Sequence, residues 1–273
     1  MRSNLEKEKV SVIVVAYNSA KTIVQTLNSI KEQSYRNLEL IVSDDCSKDN
    51  TVSVVSEWIE QNQAEFLYPI KLVTTLCNSG IPANINRGLE QAEGVYMKLI
   101  AADDYMLSDA ISKYVDFCQK NSMCLPIAQV RLFSDEPVDL AAVQAYCDAC
   151  YEFAESNAEN QYRELLRKNR IVAPGASFLP MALLKKTNGY DETFSIMEDY
   201  PMHLRCMKEG YRFGLIREEL VCYRISGASL TGAKMKQIKK TEKKLFFKKK
   251  CGVMLKKKMY REALAQTYYW LKH

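Results

Sequence analysis

The chain has 273 residues, of which 47% are apolar and 26% charged, so it can bury a substantial core and is not a disordered chain. No apolar run approaches the ~20 residues that span a bilayer, and residues 1–9 are polar and charged, so neither a membrane span nor a secretory signal is expected. The nine cysteines are scattered, which predicts free thiols in a reducing cytosol. Cys147 and Cys150 have zinc-like spacing, but a zinc site needs further ligands and the chain has only two histidines.

Positive charge is concentrated near the C-terminus. Residues 234–261 contain thirteen Lys and Arg and one acid, Glu242, so this segment carries +12 while the whole chain carries +5. A basic segment on an acidic body predicts contact with an anionic surface. Phe246 and Phe247 stand among the lysines, which suits a membrane interface as well as stacking on nucleic-acid bases. We expect the membrane and no nucleic acid; a solvated helical face is the alternative.

The first third of the chain alternates strand-like and helix-like segments. Apolar segments rich in β-branched residues predict strands at Val10–Ala16, Leu38–Ser43, Ile70–Thr74 and Val95–Ala101. Amphipathic segments predict three helices, which run from Asn18 or Ser19 to Gln33, from Asp49 or Asn50 through Ile59, and from Ile81 to Ala92 before Gly94. This alternation predicts an α/β fold with a mostly parallel, Rossmann-like sheet flanked by helices.

The later chain is less regular. Residues 138–168 are predicted to be a helical insertion, and strands are predicted at Ile171–Pro180 and Arg212–Ser226. One or two basic helices are expected from Lys234 to the end.

Acidic pairs follow two of the predicted parallel strands, where ligands of such sheets bind. Asp103 and Asp104 end an apolar strand, and a divalent cation would relieve their repulsion; equally, they could begin a turn or cap the next helix. Asp44 and Asp45 are suited to accept hydrogen bonds from a base or a ribose, with Asp49 as a helix cap.

The turn after the first strand, residues 17–22, contains no glycine. This argues against a dinucleotide fingerprint and a P-loop, and so against a dehydrogenase or a kinase. A nucleotidyltransferase is disfavoured for the same reason. Tyr17 offers a flat face for a base instead.

Glu198 and Asp199 open an amphipathic helix. Acids at a helix N-terminus are stabilised by the macrodipole, which is a structural explanation for the pair. The functional explanation is that Asp199 acts as a general base on an acceptor hydroxyl.

Five segments occur together in one order: VSVIVVAYN, ELIVSDDCSKDNT, NSGIPANINRGLEQAEGVYMKLIAADD, NGYDETFSIMEDY and YRISGASLT. Together they resemble family 2 of the glycosyltransferases, inverting enzymes of the GT-A fold that use nucleotide-sugars. The resemblance covers residues 10–231.

The resemblance implies a role for each matched residue. Asp103 and Asp104 correspond to the element that binds ribose and Mn²⁺ or Mg²⁺, and Asp199 corresponds to the catalytic base. The remaining matches lie on the donor side. Tyr17 and Asp45 would lie near the base, with Asp44 beside Asp45. A donor-side segment is matched by Asn78, Gly80, Asn84 and Asn86, and the diphosphate would lie near Arg224 and Ser229. The chain departs from many relatives at Ala101, where an acid is common, and at Ile85, where arginine is common and Arg87 could substitute.

The resemblance also implies a layout and partners. A catalytic domain would occupy residues 1–232, with a nucleotide-sugar half at 1–105 and an acceptor half at 106–232, followed by a basic helical extension at 233–273. The expected partners are a nucleotide-sugar, such as a UDP-sugar, and a glycan or lipid-linked glycan acceptor at the inner face of the plasma membrane. Because no proposed catalytic residue lies beyond Thr231, donor chemistry is expected to survive loss of the tail. A non-catalytic, basic-tailed binding module on the same scaffold is the alternative.

Overall fold

The computed structural model describes residues 8–226 and 240–250. The strands are β1 (Val10–Ala16), β2 (Leu38–Asp44), β3 (Lys71–Thr74), β4 (Tyr96–Ala101), β5 (Tyr105–Met106), β6 (Cys124–Phe133), β7 (Phe178–Pro180) and β8 (Arg212–Arg224). The helices are α1 (Ile23–Lys31), α2 (Thr51–Asn62), α3 (Ile81–Leu89), α4 (Ala110–Lys120), α5 (Ala141–Glu155), α6 (Ala158–Arg167), α7 (Ala173–Ala176), α8 (Met181–Lys186), α9 (Asp199–Lys208) and α10 (240–250). No helix in the described part of the chain is long and apolar enough to cross a membrane.

The main sheet has the order β3-β2-β1-β4-β7. The first four strands are parallel to their neighbours, and β7 pairs antiparallel with β4. β1 lies in the centre and is almost wholly buried, as its continuous apolarity predicts. The predicted α/β fold with a mostly parallel sheet flanked by helices is confirmed, and the carboxyl ends of β1, β2 and β4 meet at one edge.

A second sheet of order β5-β8-β6 adjoins the first. β8 matches its predicted strand, whereas β6 was not predicted. The helical prediction for residues 138–168 is confirmed by α5 and α6, and α5 packs on this sheet through the rings of Phe153 and Phe213, 5.9 Å apart. Burial in α5 raises the pKa of Cys147 to about 11 and that of Cys150 to about 12, which keeps both thiols protonated at neutral pH.

The predicted start of the first helix is wrong. α1 begins at Ile23, and neither Asn18 nor Ser19 caps it. Asn18 has a φ of 52° and its side-chain oxygen accepts from the amide of Lys48, while the amide of Ser19 donates to Thr51 Oγ1. The side chain of Asn18 thus binds the loop after β2, and the Ser19 hydroxyl donates to the carbonyl oxygen of Tyr17, so neither side chain caps α1.

The strand predicted at Ile171–Pro180 is also mostly wrong, because only Phe178–Pro180 is extended. The preceding residues form the short helix α7, where a Cβ on Gly175 would lie 2.2 Å from the carbonyl oxygen of Ala128. The conformation of residues 173–176 is therefore determined by the close approach of two backbones and not by strand pairing.

Helix α10 packs on the segment that precedes α9. The ring of Phe246 lies 5.9 Å from that of Phe194 and 4.6 Å from that of Tyr200. Phe246 is buried, so the expectation that it enters a membrane interface is wrong. Ser229 and the rest of the basic segment outside 240–250 lie beyond the described residues.

Candidate functional site

Asp103 and Asp104 follow β4 at the edge where the parallel strands end. Asp103 is exposed, whereas Asp104 is buried and its Oδ1 accepts from the amide of Arg224 at 2.9 Å. The Arg224 side chain donates to the carbonyl oxygen of Asp103 at 2.9 Å and to Gln25 at 2.5 Å, pairs with Asp135, and stacks on Phe133. Arg224 therefore holds the acidic pair against β8 and α1.

Burial and the neighbouring Asp103 raise the pKa of Asp104 to about 8, while the Arg224 amide and Lys98 oppose this rise. Two carboxylates that resist joint ionisation fit a divalent cation, which would relieve both the desolvation and the repulsion. The part of the chain that the structure describes has no cluster of three or more His, Cys, Asp or Glu side chains for a metal. A cation here would thus take its other ligands from phosphate and water, as Mg²⁺ commonly does.

Asp44 and Asp45 have different surroundings although both are buried. Asp44 accepts from the backbone amide and hydroxyl of Ser47, so it fixes the turn after β2. Asp45 accepts from the amide and hydroxyl of Ser79, at 3.0 and 2.6 Å, and from the amide of Gly80 at 2.8 Å. Asp45 therefore fixes the loop that leads into α3.

Other residues of α3 reinforce this loop. Arg87 reaches Ser79 Oγ at 2.7 Å, Asn84 Oδ1 at 2.9 Å and Asp45 at 3.4 Å. Asn84 is buried and its amide donates to the carbonyl oxygen of Ser43 at 3.0 Å. The predicted substitution of Arg87 for an arginine at position 85 is thus compatible with the structure, since Ile85 is fully buried.

Asn86 lies on α3 and contacts a segment more than a hundred residues later. Its amide donates to the carbonyl oxygen of Tyr190 at 2.9 Å, and its Oδ1 accepts from the amide of Tyr190 at 2.7 Å. Asn78 and Tyr17 are exposed at the same edge. Asn86 therefore joins α3 to the chain that leads to α9.

Asp199 is the first residue of α9 and is half-buried, with Oδ2 3.3 Å from the amide nitrogen of Asn169. Burial and the charge of Asp199 raise the pKa of the adjacent Glu198 to about 8. Burial also lowers the pKa of His203, one turn along the same helix. Asp199 is the member of this pair that lies in the first turn of α9, where the helix dipole favours an anion.

The structure brings the predicted residues into two bonded groups. One group surrounds Asp45 and contains Asn84, Gly80 and Arg87; the other contains Asp103, Asp104 and Arg224. Asp199 is connected to the first group through Ser195, whose carbonyl oxygen accepts from the amide of Ile81 at 2.8 Å.

Sequence reasoning missed four residues that contact these groups: Gln25, Ser79, Asp135 and Ser195. It also missed Glu242, whose carboxylate accepts from the amide of Ser195. Glu242 alone carried a signal, as the single acid in a basic segment.

Comparisons with known proteins identify the family of the chain and its fold. A model of glycosyl transferase family 2 matches residues 11–187. The putative glycosyltransferase EpsE of Bacillus subtilis is 33% identical over 220 residues, which cover 78% of this chain and 71% of EpsE. The UDP-Glc:alpha-D-GlcNAc-diphosphoundecaprenol beta-1,3-glucosyltransferase WfgD of Escherichia coli is 26% identical, with coverages of 85% and 83%.

Solved structures have the same fold. S. aureus TarS 1–349 in complex with UDP-GlcNAc superposes with a TM-score of 0.63 at 21% identity over 84% of this chain and 60% of TarS 1–349. The mannosyltransferase PcManGT from Pyrobaculum calidifontis, in complex with GDP-Man and Mn²⁺, gives 0.64 at 21% identity over 82% of this chain and 59% of its own. This chain thus spans less than two thirds of either structure. With its GT-A fold and a family match over most of its length, the chain belongs to glycosyltransferase family 2.

Proposed function

We propose that the chain transfers a sugar from a UDP-sugar to a hydroxyl of a lipid-linked or cell-surface glycan precursor, with inversion at the anomeric carbon. The observation that carries the proposal is the pairing of exposed Asp103 with buried Asp104 at the edge where β1, β2 and β4 end. Ligands of open parallel sheets bind at this edge.

The nucleotide part of the proposal rests on Asp45 and its loop. The Asp45 carboxylate holds the amides of Ser79 and Gly80 beside the end of β2, so the wall of a nucleotide pocket is formed before the ligand arrives. UDP is favoured because WfgD is named for UDP-Glc and TarS is solved with UDP-GlcNAc. GDP is the second candidate, because PcManGT is solved with GDP-Man.

Asp103 and Asp104 would hold Mn²⁺ or Mg²⁺, which when bound supplies positive charge to the leaving diphosphate. Arg224 keeps these two residues in place through its amide and guanidinium, while its own side chain is taken up by Gln25 and Asp135. Its direct contact with the diphosphate stays a prediction, as does that of Ser229.

Asp199 would accept the proton of the acceptor hydroxyl as that oxygen attacks the anomeric carbon from the face opposite the diphosphate. Asp199 lies in the first turn of α9, where the helix dipole favours an anion.

The test is calorimetry of UDP binding to the full chain with Mn²⁺ and with EDTA, repeated with GDP. We expect binding that depends on metal in the wild-type protein and is strongly weakened in Asp104→Asn. Undiminished binding of UDP in EDTA would contradict the metal site, and tighter binding of GDP would reassign the nucleotide.

A coupled assay of UDP release from UDP-glucose and UDP-GlcNAc distinguishes a transferase from a non-catalytic binding module. A module would bind the nucleotide without releasing UDP from either sugar, whereas a transferase shows at least slow hydrolysis with water as acceptor. Full turnover then requires a lipid-linked acceptor.

A further inference from the structure

The single acid of the basic segment is buried against the backbone of the proposed active site. Glu242 is 5% exposed, and its carboxylate accepts from the amide of Met197 at 3.0 Å, from that of Ile196 at 3.2 Å, and from that of Ser195. A buried carboxylate is destabilising unless hydrogen bonds compensate for its lost hydration. Three successive backbone amides provide that compensation here, in the manner of an anion-binding nest.

Other residues on the same face of α10 contact the same segment. Phe246 packs between Phe194 and Tyr200, and the Lys250 amine lies 3.0 Å from the Tyr200 hydroxyl. Lys249 pairs with Asp191 at 2.8 Å. The spacing of positions 242, 246, 249 and 250 is that of one helical face, so α10 binds residues 191–200 along its length.

Residues 195–197 lie between α10 and the donor-side loop. On one side their amides bind Glu242; on the other, the carbonyl oxygen of Ser195 accepts from the amide of Ile81, and a Cβ on Gly80 would approach that oxygen to 2.7 Å. Two residues after this segment, Asp199 begins α9. A shift of the segment would therefore move the proposed base relative to the donor.

We infer that α10 is a positioning element of the active site, in which Glu242 is the positioning residue that holds the 195–197 backbone and, through it, Asp199. This inference rests on the proposed function for the role of Asp199. It replaces the expectation that donor chemistry survives loss of the tail, because the chain beyond Thr231 supplies three of the hydrogen-bonded contacts that fix this segment.

The test compares Glu242→Ala and Glu242→Gln in the full chain, with Glu60→Gln, an exposed glutamate on α2, as the control. Hydrogen exchange of peptides covering 195–200 and 79–82 reports on the geometry, and UDP release from UDP-glucose reports on turnover. We expect Glu242→Ala to accelerate exchange at 195–200 and to lower turnover ~10-fold or more while UDP affinity stays within about two-fold, because a displaced base costs rate rather than donor binding.

Glu242→Gln keeps an acceptor oxygen and should recover part of the turnover. Phe246→Ala provides a second route to the same loosened segment if Glu242→Ala does not fold. Unchanged exchange at 195–200 in Glu242→Ala, or accelerated exchange with wild-type turnover, would overturn the inference. A wild-type protein without UDP release would count against the proposed function alone, because the exchange measurements at 195–200 and 79–82 decide the coupling without turnover.

Discussion

At the scale of single residues, adjacent Glu198 and Asp199 illustrate how position separates two chemically similar acids. Burial raises the pKa of Glu198 to about 8, so it is largely protonated at pH 7, and the nearby charge of Glu242 acts in the same direction. Asp199 occupies the first position of α9, where the helix dipole favours an anion. Burial and the neighbouring carboxylates thus favour the protonated form of Glu198.

Asp199→Asn removes the proposed base while preserving size. We expect turnover to fall ~10²-fold or more with UDP affinity retained, since general-base assistance acts on the chemical step. Single-turnover kinetics with calorimetry of UDP binding measures both quantities. Turnover within a few-fold of wild type would move the role to Glu198 or Asp191.

Glu198→Gln should stabilise the protein more at pH 8 than at pH 5. The folded-state pKa of Glu198 lies above its ordinary value of 4.5, so the folded protein binds this proton more tightly than the unfolded chain does. Wild-type stability therefore falls as pH rises between about 4.5 and 8, and a neutral glutamine removes that loss. Thermal midpoints at both pH values, with Glu60→Gln as control, measure it; equal shifts at pH 5 and pH 8 would contradict the raised pKa.

At the scale of secondary structure, buried parallel strands were predictable and the polar loops were not. β1 and β2 fall within a residue of their predicted limits because apolar, β-branched segments have few alternatives. The predicted start of α1 was wrong because the side chain of Asn18 accepts a hydrogen bond from a loop thirty residues later. The periodicity of the sequence does not predict such a long-range bond. α7 was missed because the contact of Gly175 with Ala128 is tertiary.

The candidate site shows the same division. The acidic residues at strand ends were predictable as candidates because strand ends are where such sheets bind ligands. Asp199 was a candidate because it opens an amphipathic helix, and the family resemblance implied its role as the base. The residues that hold those acids, such as Ser79 and Ser195, are common polar residues without local signature. Their hydrogen-bond partners depend on which loops come close together in the folded chain, and a single sequence does not specify this.

Gly80→Ala tests the junction between the donor loop and the segment before α9. Gly80 has a φ of 92°, and an added Cβ would lie 2.7 Å from the carbonyl oxygen of Ser195, a backbone atom that cannot rotate away. We expect lower stability by roughly 1–3 kcal/mol and weaker UDP binding, because the Asp45 loop must shift. Urea unfolding and calorimetry measure these effects.

Gly210→Ala is a control with similar backbone strain (φ 89°), but an added Cβ there would meet only a methionine methyl group, 3.5 Å away. Equal losses of stability and UDP binding in both variants would assign the effect to backbone strain alone.

At the scale of the whole molecule, α10 has one face on the protein and another in solvent. Glu242 and Phe246 are buried, whereas Lys240, Lys243 and Lys248 are exposed. The membrane contact proposed from sequence would thus use lysine charges rather than the Phe246 ring.

Replacement of Lys240, Lys243 and Lys248 by glutamine should weaken co-sedimentation with anionic vesicles. Each lysine near an anionic leaflet contributes on the order of 1 kcal/mol, and salt should reduce the binding of the wild-type protein. The matched control replaces three exposed lysines elsewhere, Lys120, Lys168 and Lys185, with the same loss of charge. Equal sedimentation of both variants, or none at low salt for wild type, would leave α10 with its packing role only.

Lys98 lies in β4, whereas both hydrogen-bond acceptors of its amine lie more than seventy residues later in the chain. Its amine is fully buried in β4, where burial lowers its pKa to about 7, and it donates to the carbonyl oxygen of Pro174 and to the hydroxyl of Ser177, both at 2.7 Å. When residues 1–105 have left the ribosome, those acceptors do not yet exist, and an amine without partners favours water over the interior. We therefore expect the nascent sheet to remain open at β4 until residues 174–180 have emerged, because β7 also completes this edge. We expect the first 105 residues alone to stay protease-sensitive and to be protected only once that later segment emerges.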